Sequence, residues 1–578
     1  MKTITAFLLA ALMLTGCASN TVTEVTTIAT AAAATEATVA AEPASLAGEI
    51  AMGSSAGAEY VSRFSSVTAI TLSDSGITVD GGEETDTVFT SHDIVYYQDR
   101  DTYDSGNPYG EGTDADKHTA EEADAHTVVN ITAPGAYRIS GSLSAGQVRI
   151  DLGSDAYDDP DAVVELLLDD ADITCTVAPA ILFLNTYECD GNWSTDTASP
   201  DVDTSDAGAN LILEGKNTVS GSYVARIYKD AEGEKKLWKQ DGAIYSYMSL
   251  NVYGPGSLDL TADSESLGTE LHLTIQGGEI AIRSGNDGIN TNEDGVSVTT
   301  INGGSVHIIA GLGTEGDGID SNGYLVINGG TVVSAGNPAS DAGLDSDLGS
   351  YINGGTVIAL GSTMDWAESD SKQVTMNLQF AQYQSSGSAI VVTKEDGTIV
   401  FAYDPSEDEV LGENVRRFQG AVLSCPGLTQ GETYAVYLDG TLTGEETGGV
   451  YTSVTAYEGG TQMAYTGTDV RGGFGGRGGM GNGGNGKWEN GERPDFAKGE
   501  VPTLPEGATL PEGGFGSQRQ ENWTPPEGFD GEKPERPDGE SMPEGGPGVS
   551  SGADTTGEAS TEFYMTDKVN AFSGVTAV

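Results

Sequence analysis

Basic residues are scarce in this chain. Only 26 Lys and Arg stand against 88 Asp and Glu among 578 residues, which gives a formal net charge of -62 at pH 7. A surface of that sign is repelled by nucleic-acid phosphates and by anionic lipid headgroups. The composition therefore argues against nucleic acid or an anionic membrane as a partner, and it favours cations or anions that cations bridge.

Cysteine is also rare, with four residues in the whole chain. None of them has the C-x-x-C spacing of a zinc or redox site. Cys175 and Cys189 are close enough in sequence to form a disulfide outside the cytoplasm, whereas Cys425 is distant. The alternative is that these three are buried free thiols that behave as small apolar groups, and we assign them no chemistry.

Long hydrophobic runs are lacking as well. The apolar run Ile4–Leu14 follows Lys2 and is too short to span a bilayer, which is typical of an export signal. It ends in the letters LTGC, which is similar to a lipoprotein signal that is cleaved before Cys17; the alternative is an ordinary signal peptide with a chance cysteine. We predict a lipoprotein signal peptide over 1–17, lipid on Cys17, and a tether over 18–59.

A repeat of 25 to 26 residues dominates the middle of the chain. GIDSNGYLVINGGTVVSAG at Gly318–Gly336 and GLDSDLGSYINGGTVIALG at Gly343–Gly361 share ten of nineteen positions, and earlier copies of I-N-G-G lie 26 residues apart. Such a period is typical of a solenoid, in which each repeat buries its apolar face on its neighbours. Short β-rich runs alternate with Asn-Gly-Gly and show no helical period, so the sequence predicts a parallel β-helix.

The remaining regions complete an all-β prediction. The solenoid is expected over 60–362, followed over 363–470 by alternating segments that predict an antiparallel β cap. Residues 471–558 are rich in Gly, Pro and Glu and are expected to be a long disordered insertion. Residues 559–578 return to a strand-like pattern, which predicts a last strand that joins the cap.

The repeat also predicts an acidic ladder. Rungs of such a coil lie about 4.8 Å apart, and two carboxylates at that distance repel by roughly 3.5 kcal/mol at an effective dielectric of 20. Ser284–Ser371 contains no Lys or Arg to offset this repulsion. Clustered carboxylate and amide oxygens suit Ca²⁺, and the alternative is a set of solvated turn residues that point apart. The predicted ligands are Asp287, Asn290, Asp317, Asp320, Asn322, Asp345 and Asp347.

These turns also carry a resemblance. The D-G-I-[D/N] turns at Asp287–Asn290 and Asp317–Asp320, with the I-N-G-G-T-V strands, resemble the bacterial secreted carbohydrate-binding domain family, a right-handed parallel β-helix related to polysaccharide lyases. The resemblance extends over roughly residues 60 to 470 and the last fifteen or so. It implies a right-handed coil, Ca²⁺ bound along it, and binding of cell-wall polysaccharides such as cellulose or pectic acids.

Three functions remain open from the sequence. A calcium-dependent pectate-type lyase needs a Lys or Arg base, for which Arg283 is the candidate nearest the acidic ladder. A structural or adhesive surface spacer needs no site at all. We predict the third, a non-catalytic, monomeric, lipid-anchored protein on the extracellular face of the bacterial membrane that binds polysaccharide. Tyr324, Tyr351 and Trp366 are candidate stacking faces for sugar rings, with core packing as the favoured alternative.

Overall fold

The computed structural model describes residues 48–54, 57–97, 116–191, 194–228, 237–362, 364–410, 412, 416–468 and 559–578. These residues belong to one compact unit, Ser45–Val578. The predicted signal peptide with Cys17, most of the predicted tether and the predicted disordered insertion lie outside the described residues. Among the described residues, no helix is long and apolar enough to cross a membrane.

The described chain is almost entirely β-structure. The one short α-helix that is described, α1 (Ala120–Asp124), begins with a capping box in which Thr119 accepts from the Glu122 amide. The first strands are β1 (Gly48–Glu49), β2 (Val67–Leu72), β3 (Thr78–Val79), β4 (Val88–Ser91), β5 (Thr127–Ile131), β6 (Gly135–Leu143), β7 (Gly146–Asp151), β8 (Val164–Thr174), β9 (Ile181–Asn185), β10 (Ala209–Glu214), β11 (Lys216–Gly221), β12 (Val224–Tyr228), β13 (Leu237–Gln240) and β14 (Gly242–Ser246).

The strands that contain the repeat and the cap follow. They are β15 (Leu250–Tyr253), β16 (Ser257–Ala262), β17 (Glu265–Thr269), β18 (Leu273–Ile275), β19 (Glu279–Ser284), β20 (Ile289–Thr291), β21 (Val298–Ile301), β22 (Ser305–Ile309), β23 (Ile319–Ser321), β24 (Tyr324–Ile327), β25 (Thr331–Ala335), β26 (Leu344–Ser346), β27 (Gly349–Ile352), β28 (Thr356–Gly361), β29 (Thr375–Gln384), β30 (Ile390–Lys394), β31 (Ile399–Tyr403), β32 (Phe418–Ser424), β33 (Thr433–Leu438), β34 (Thr441–Thr447), β35 (Val450–Glu458), β36 (Thr461–Ala464), β37 (Gly467–Thr468), β38 (Phe563–Tyr564) and β39 (Val569–Ala577).

Parallel pairing arranges most of these strands in three columns. Column A contains β10, β15, β18, β21, β24 and β27, and column B contains β11, β16, β19, β22, β25 and β28. Column C contains β5, β7, β9, β14, β17, β20, β23 and β26. The chain visits the columns in turn from one repeat to the next. The all-β prediction is confirmed, whereas closure into a right-handed coil stays a prediction.

The repeat positions stack as the sequence alignment predicts. Ile275, Ile301, Ile327 and Ile352 are successive register partners in column A, and each is at most 1% exposed. Burial of an isoleucine side chain contributes about 1.5–3 kcal/mol, so this stack is a large part of the local stability. Glycine is needed at the last position of the Asn-Gly-Gly turn that follows, because the backbone there has a positive φ, which is +83° at Gly330.

The N-terminal segment corrects the predicted tether boundary at residue 59. β1 pairs antiparallel with β35 of the cap, and the Gly53 amide donates to Thr356 Oγ1 at 3.1 Å. The Ser54 carbonyl then accepts from the Gly330 amide at 2.6 Å, and the Tyr60 ring lies 4.7 Å from the Tyr253 ring. Residues 48–54 and 57–63, here called the strap, therefore belong to the folded body. Small residues allow this close crossing over the glycine turns.

The cap packs on the outer face of column B. β32 pairs antiparallel with both β28 and β29, while the last strand β39 pairs parallel with β29. Ile309, Val333 and Ile358 of column B share one hydrophobic cluster with cap residues such as Leu423. Cys425 lies in the same cluster, and burial raises the pKa of its thiol to about 11. Cys175 and Cys189 are also free, so they form no disulfide with each other.

Candidate functional site

The centre of the candidate site is one outward-facing position of column C. Gly268, Asn290, Asp320 and Asp345 are successive register partners in β17, β20, β23 and β26. Strand side chains alternate between the two faces, so the residues on either side of this position point into the core. Those inward residues are Leu267, Ile289, Ile319 and Leu344 before it, and Thr269, Thr291, Ser321 and Ser346 after it. The predicted alignment of Asp320 with Asp345 is thus present.

Two further carboxylates lie on the turns that precede these strands. The Asp317 amide donates to Asp287 Oδ1 at 2.6 Å, and the Ala342 amide donates to Asp317 Oδ1 at 2.5 Å. Each carboxylate is therefore held by the backbone of the next rung. Asp341 points the other way along the chain, because its Oδ2 accepts from the Gly316 amide at 2.7 Å. These bonds fix Asp287 and Asp317 beside the central column.

The proximity of these acids changes their protonation. Burial raises the pKa of Asp317 to about 7, with Asp345 as the next cause. Burial, followed by Asp287 and then Asp317, holds the pKa of Asp320 well above its usual range. The pKa of Asp287 is also well above normal, because of burial and then Glu265. The group does not carry its full negative charge at neutral pH unless a cation offsets it.

The structure adds two acids that the repeat did not predict. Asp365 lies beyond the last rung, and burial followed by the neighbouring Asp345 raises its pKa to about 8. Glu265 lies at the other end, where Asn290 Nδ2 donates to its Oε1 at 2.9 Å. Neither residue belongs to a D-G-I-[D/N] turn, so a search by repeat does not find them. In the sequence, the feature that could have indicated these two acids is their position next to either end of the predicted ladder.

The predicted ligands on the far side of the strands are less closely associated with this group. Asn322 Nδ2 donates to the Asn292 carbonyl at 2.9 Å, and Asp347 lies at the surface. Partial burial, then Asp345 and Asp294, raises the pKa of Asp347 to about 6. Asn322 and Asp347 follow the strands, whereas Asp287 and Asp317 precede them. The seven predicted ligands therefore form three groups. Asn290, Asp320 and Asp345 are in the centre, Asp287 and Asp317 precede the strands, and Asn322 and Asp347 follow them.

The donor chemistry of this site fits Ca²⁺. Its atoms are carboxylate and amide oxygens, and Asn290 Oδ1 is buried without a hydrogen-bond partner among the described residues. In the described part of the chain, no three His, Cys, Asp or Glu side chains are already arranged to hold a metal ion. A bound ion would therefore require the amide oxygen or a closing movement of the carboxylates. We call Asp287, Asn290, Asp317, Asp320 and Asp345 the acidic ladder.

The predicted aromatic residues lie elsewhere. Tyr324 and Tyr351 are in column A, with ring centroids 6.1 Å apart and planes at 53°. Both are partly exposed, as is Trp366, so none of the three is a core residue. The candidate lyase base Arg283 is in column B, where it donates to Asp259 Oδ1 at 2.5 Å. Arg283 is thus engaged on a different column from the acidic ladder.

Comparison with known proteins identifies the family. Residues 125–420 match the family described as carbohydrate-binding domain-containing protein, and the match covers just over half of the chain. The chain belongs to this carbohydrate-binding domain-containing family. The matched range includes column C from β5 through β26, and so it contains the whole acidic ladder.

Two other proteins are similar to this family member. A carbohydrate-binding domain-containing protein of Acetivibrio thermocellus is 28% identical over 176 residues, which is 30% of this chain and 51% of the relative. The chain thus spans about half the length of that curated relative. A gadolinium derivative of a polysaccharide lyase-like protein from C. thermocellum covers 49% of this chain and 91% of its own, with 17% identity and a TM-score of 0.26.

Proposed function

We propose that this chain is a non-catalytic, calcium-loaded carbohydrate-binding protein, monomeric and held on the extracellular face of a bacterial membrane by lipid on Cys17. Its ligand is a plant-type cell-wall polysaccharide, either cellulose or an acidic glycan. The family membership supports carbohydrate binding. The name of the Acetivibrio thermocellus relative points the same way. The three columns are proposed to close into a right-handed parallel β-helix, because crossovers between parallel strands are right-handed in nearly all proteins.

The observation that carries the calcium part is the register of the acidic ladder. Asn290, Asp320 and Asp345 stack on consecutive rungs, and Asp287 and Asp317 flank them. These five residues are the proposed ligands. Calcium would supply positive charge that offsets the carboxylates and, at a surface, attracts the acidic groups of a glycan.

The lack of catalysis is proposed from the environment of Arg283. Pectate-type elimination needs a base next to the cation-bound sugar, and the ion pair with Asp259 holds the guanidinium on column B. A guanidinium that is paired with a carboxylate would have to lose a proton before it could act as a base, and arginine side chains in proteins do not give up that proton readily. We therefore expect no unsaturated product from polygalacturonate in the presence of calcium.

The test is calcium content combined with glycan retention. The purified full-length chain is passed over cellulose and over immobilised pectate, with calcium and then with a chelator, after its bound calcium has been measured. Calcium in the purified protein and retention on at least one glycan support the proposal. Retention on pectate is expected to end with the chelator. A protein that is retained on neither glycan is a spacer, and release of unsaturated product identifies a lyase.

A further inference from the structure

A cleft of about 290 Å³ opens beside Asn290 and Asp320 of the acidic ladder. Asn290 and Asp320 of column C line the cleft. Tyr223, Asp116 and Asp241 line it as well. The volume is near the lower end of the range for small-molecule sites, which is roughly 300 to 1,000 Å³. It is suited to one sugar residue of a chain that continues outside.

Tyr223 has the features of a fixed stacking surface. Its hydroxyl donates to Asp116 Oδ1, and its ring packs against the main hydrophobic core while it lines the cleft. A ring that is held by packing and by a hydrogen bond from its hydroxyl loses little conformational entropy when a ligand covers it. The predicted aromatics Tyr324 and Tyr351 lie on column A and are not part of this cleft.

The other lining residues offer hydrogen-bond acceptors. Asn290 Nδ2 already donates to Glu265 and its Oδ1 is a proposed calcium ligand, so this residue has no donor left for a ligand in the cleft. Asn322 likewise uses its Nδ2 on the Asn292 carbonyl. The described lining contains four acidic residues and no Lys, Arg or His. A ligand for this cleft should therefore donate hydrogen bonds rather than accept them.

We infer that this cleft is a glycan subsite in which Tyr223 stacks on a pyranose ring whose substituents are hydrogen-bond donors, such as hydroxyl or ammonium groups. The inference rests on the proposed carbohydrate-binding function and gives it a location and a preference. Uronate residues are disfavoured here, because a sugar carboxylate in the cleft would be repelled by Asp116 and Asp241, which are not among the proposed calcium ligands.

The test compares three hexasaccharides by calorimetry on the calcium-loaded full-length chain: one of neutral glucose, one of glucosamine and one of galacturonate. Tyr223→Ala is expected to weaken the glucose or glucosamine complex at least about tenfold, because loss of a central aromatic contact has that effect at binding sites. Tyr223→Phe keeps the ring and is expected to bind within about threefold of the parent. Tyr564→Ala removes an exposed tyrosine from strand β38 of the cap and should change nothing.

The outcomes separate this inference from the proposed function. Binding that survives Tyr223→Ala overturns the subsite and leaves the proposed function intact, as does binding of galacturonate alone. Failure of the parent chain to bind any of the three glycans overturns both. If Tyr223→Ala does not fold, as judged by circular dichroism, Tyr223→Leu retains apolar packing without the flat ring and is expected to show the same loss.

Discussion

Removal of calcium should make the stability of this protein fall as the pH rises from 5 to 8. The reason is the raised pKa of Asp317, which burial moves from 3.8 in a model compound to about 7 in the folded chain. A carboxyl with a raised folded pKa prefers its protonated form in the fold. Its contribution is complete below pH 3.8 and is lost progressively as the pH rises through about 7.

The size of this loss follows from the pKa shift. Of the shift of about three pKa units, the part between pH 5 and pH 7 is about two units, which corresponds to about 3 kcal/mol at about 1.36 kcal/mol per unit. For a folded body of roughly 400 residues, with an unfolding entropy of about 2.1 cal/mol/K per residue, this is a fall of about 3 °C in Tm. Asp365 and Asp347 shift in the same direction and add to it. Bound calcium should remove the dependence, because it favours the ionised ladder.

The assay is thermal unfolding at pH 5, 6, 7 and 8, with calcium or with a chelator. It is run at about 0.5 M salt, so that general repulsion among surface acids is screened. Asp317→Asn is the matched control, because it removes this one titration and should make the chelated profile less steep, while Asp365 and Asp347 still titrate. A chelated parent chain that is as stable at pH 8 as at pH 5 would refute the argument. So would a profile that calcium leaves unchanged.

Three other predictions concern substitutions in the acidic ladder, in a glycine turn and in column B. The double variant Asp320→Asn, Asp345→Asn should bind at least one calcium ion per chain fewer than the parent, as measured by elemental analysis. The control Glu395→Gln changes an exposed acid and should bind as much calcium as the parent. Equal calcium content in both variants would show that the acidic ladder is not the calcium site. Gly330→Ala should lower the free energy of unfolding in urea by about 1–3 kcal/mol, since φ is +83° and the added Cβ would lie 2.8 Å from the Gly304 carbonyl oxygen. Gly191→Ala, with no atom near the added Cβ, is the control, and equal losses would contradict the strain argument. Arg283→Ala should leave glycan retention unchanged, and loss of retention would show that column B takes part in binding.

The sequence was sufficient where the structure repeats. Equal spacing of Asp320 and Asp345 predicts that they stack, because parallel strands in register place equivalent residues one above the other. The same reasoning gave the isoleucine stack and the Asn-Gly-Gly turns. The isoleucine stack and the turns both depend on contacts between neighbouring copies of the repeat. These copies can be aligned with one another within a single sequence.

Residues brought together over long sequence distances were not predictable in this way. Asp365 joins the ladder from beyond the repeat, and Glu265 joins it from the rung before. Tyr223 and Asp116 are 107 residues apart, and neither lies in a repeated motif. The absence of periodicity before residue 60 predicts a tether there, although the part of the strap up to residue 59 contains glycines at its crossing points with the body. Tertiary contacts, rather than local pattern, decide these positions.

The strap also has a consequence for biogenesis. Gly53 contacts Thr356 across 303 positions, and Glu49 pairs with Ser453. A polypeptide that crosses a membrane from its amino end would present these early residues long before their acceptors emerge. The folded body therefore cannot be completed before the cap is available. A chain truncated before β35 would leave β1 without the strand with which it pairs. Under the proposed export to the cell surface, late closure of this kind would expose the amino-terminal residues of unfinished molecules to proteases.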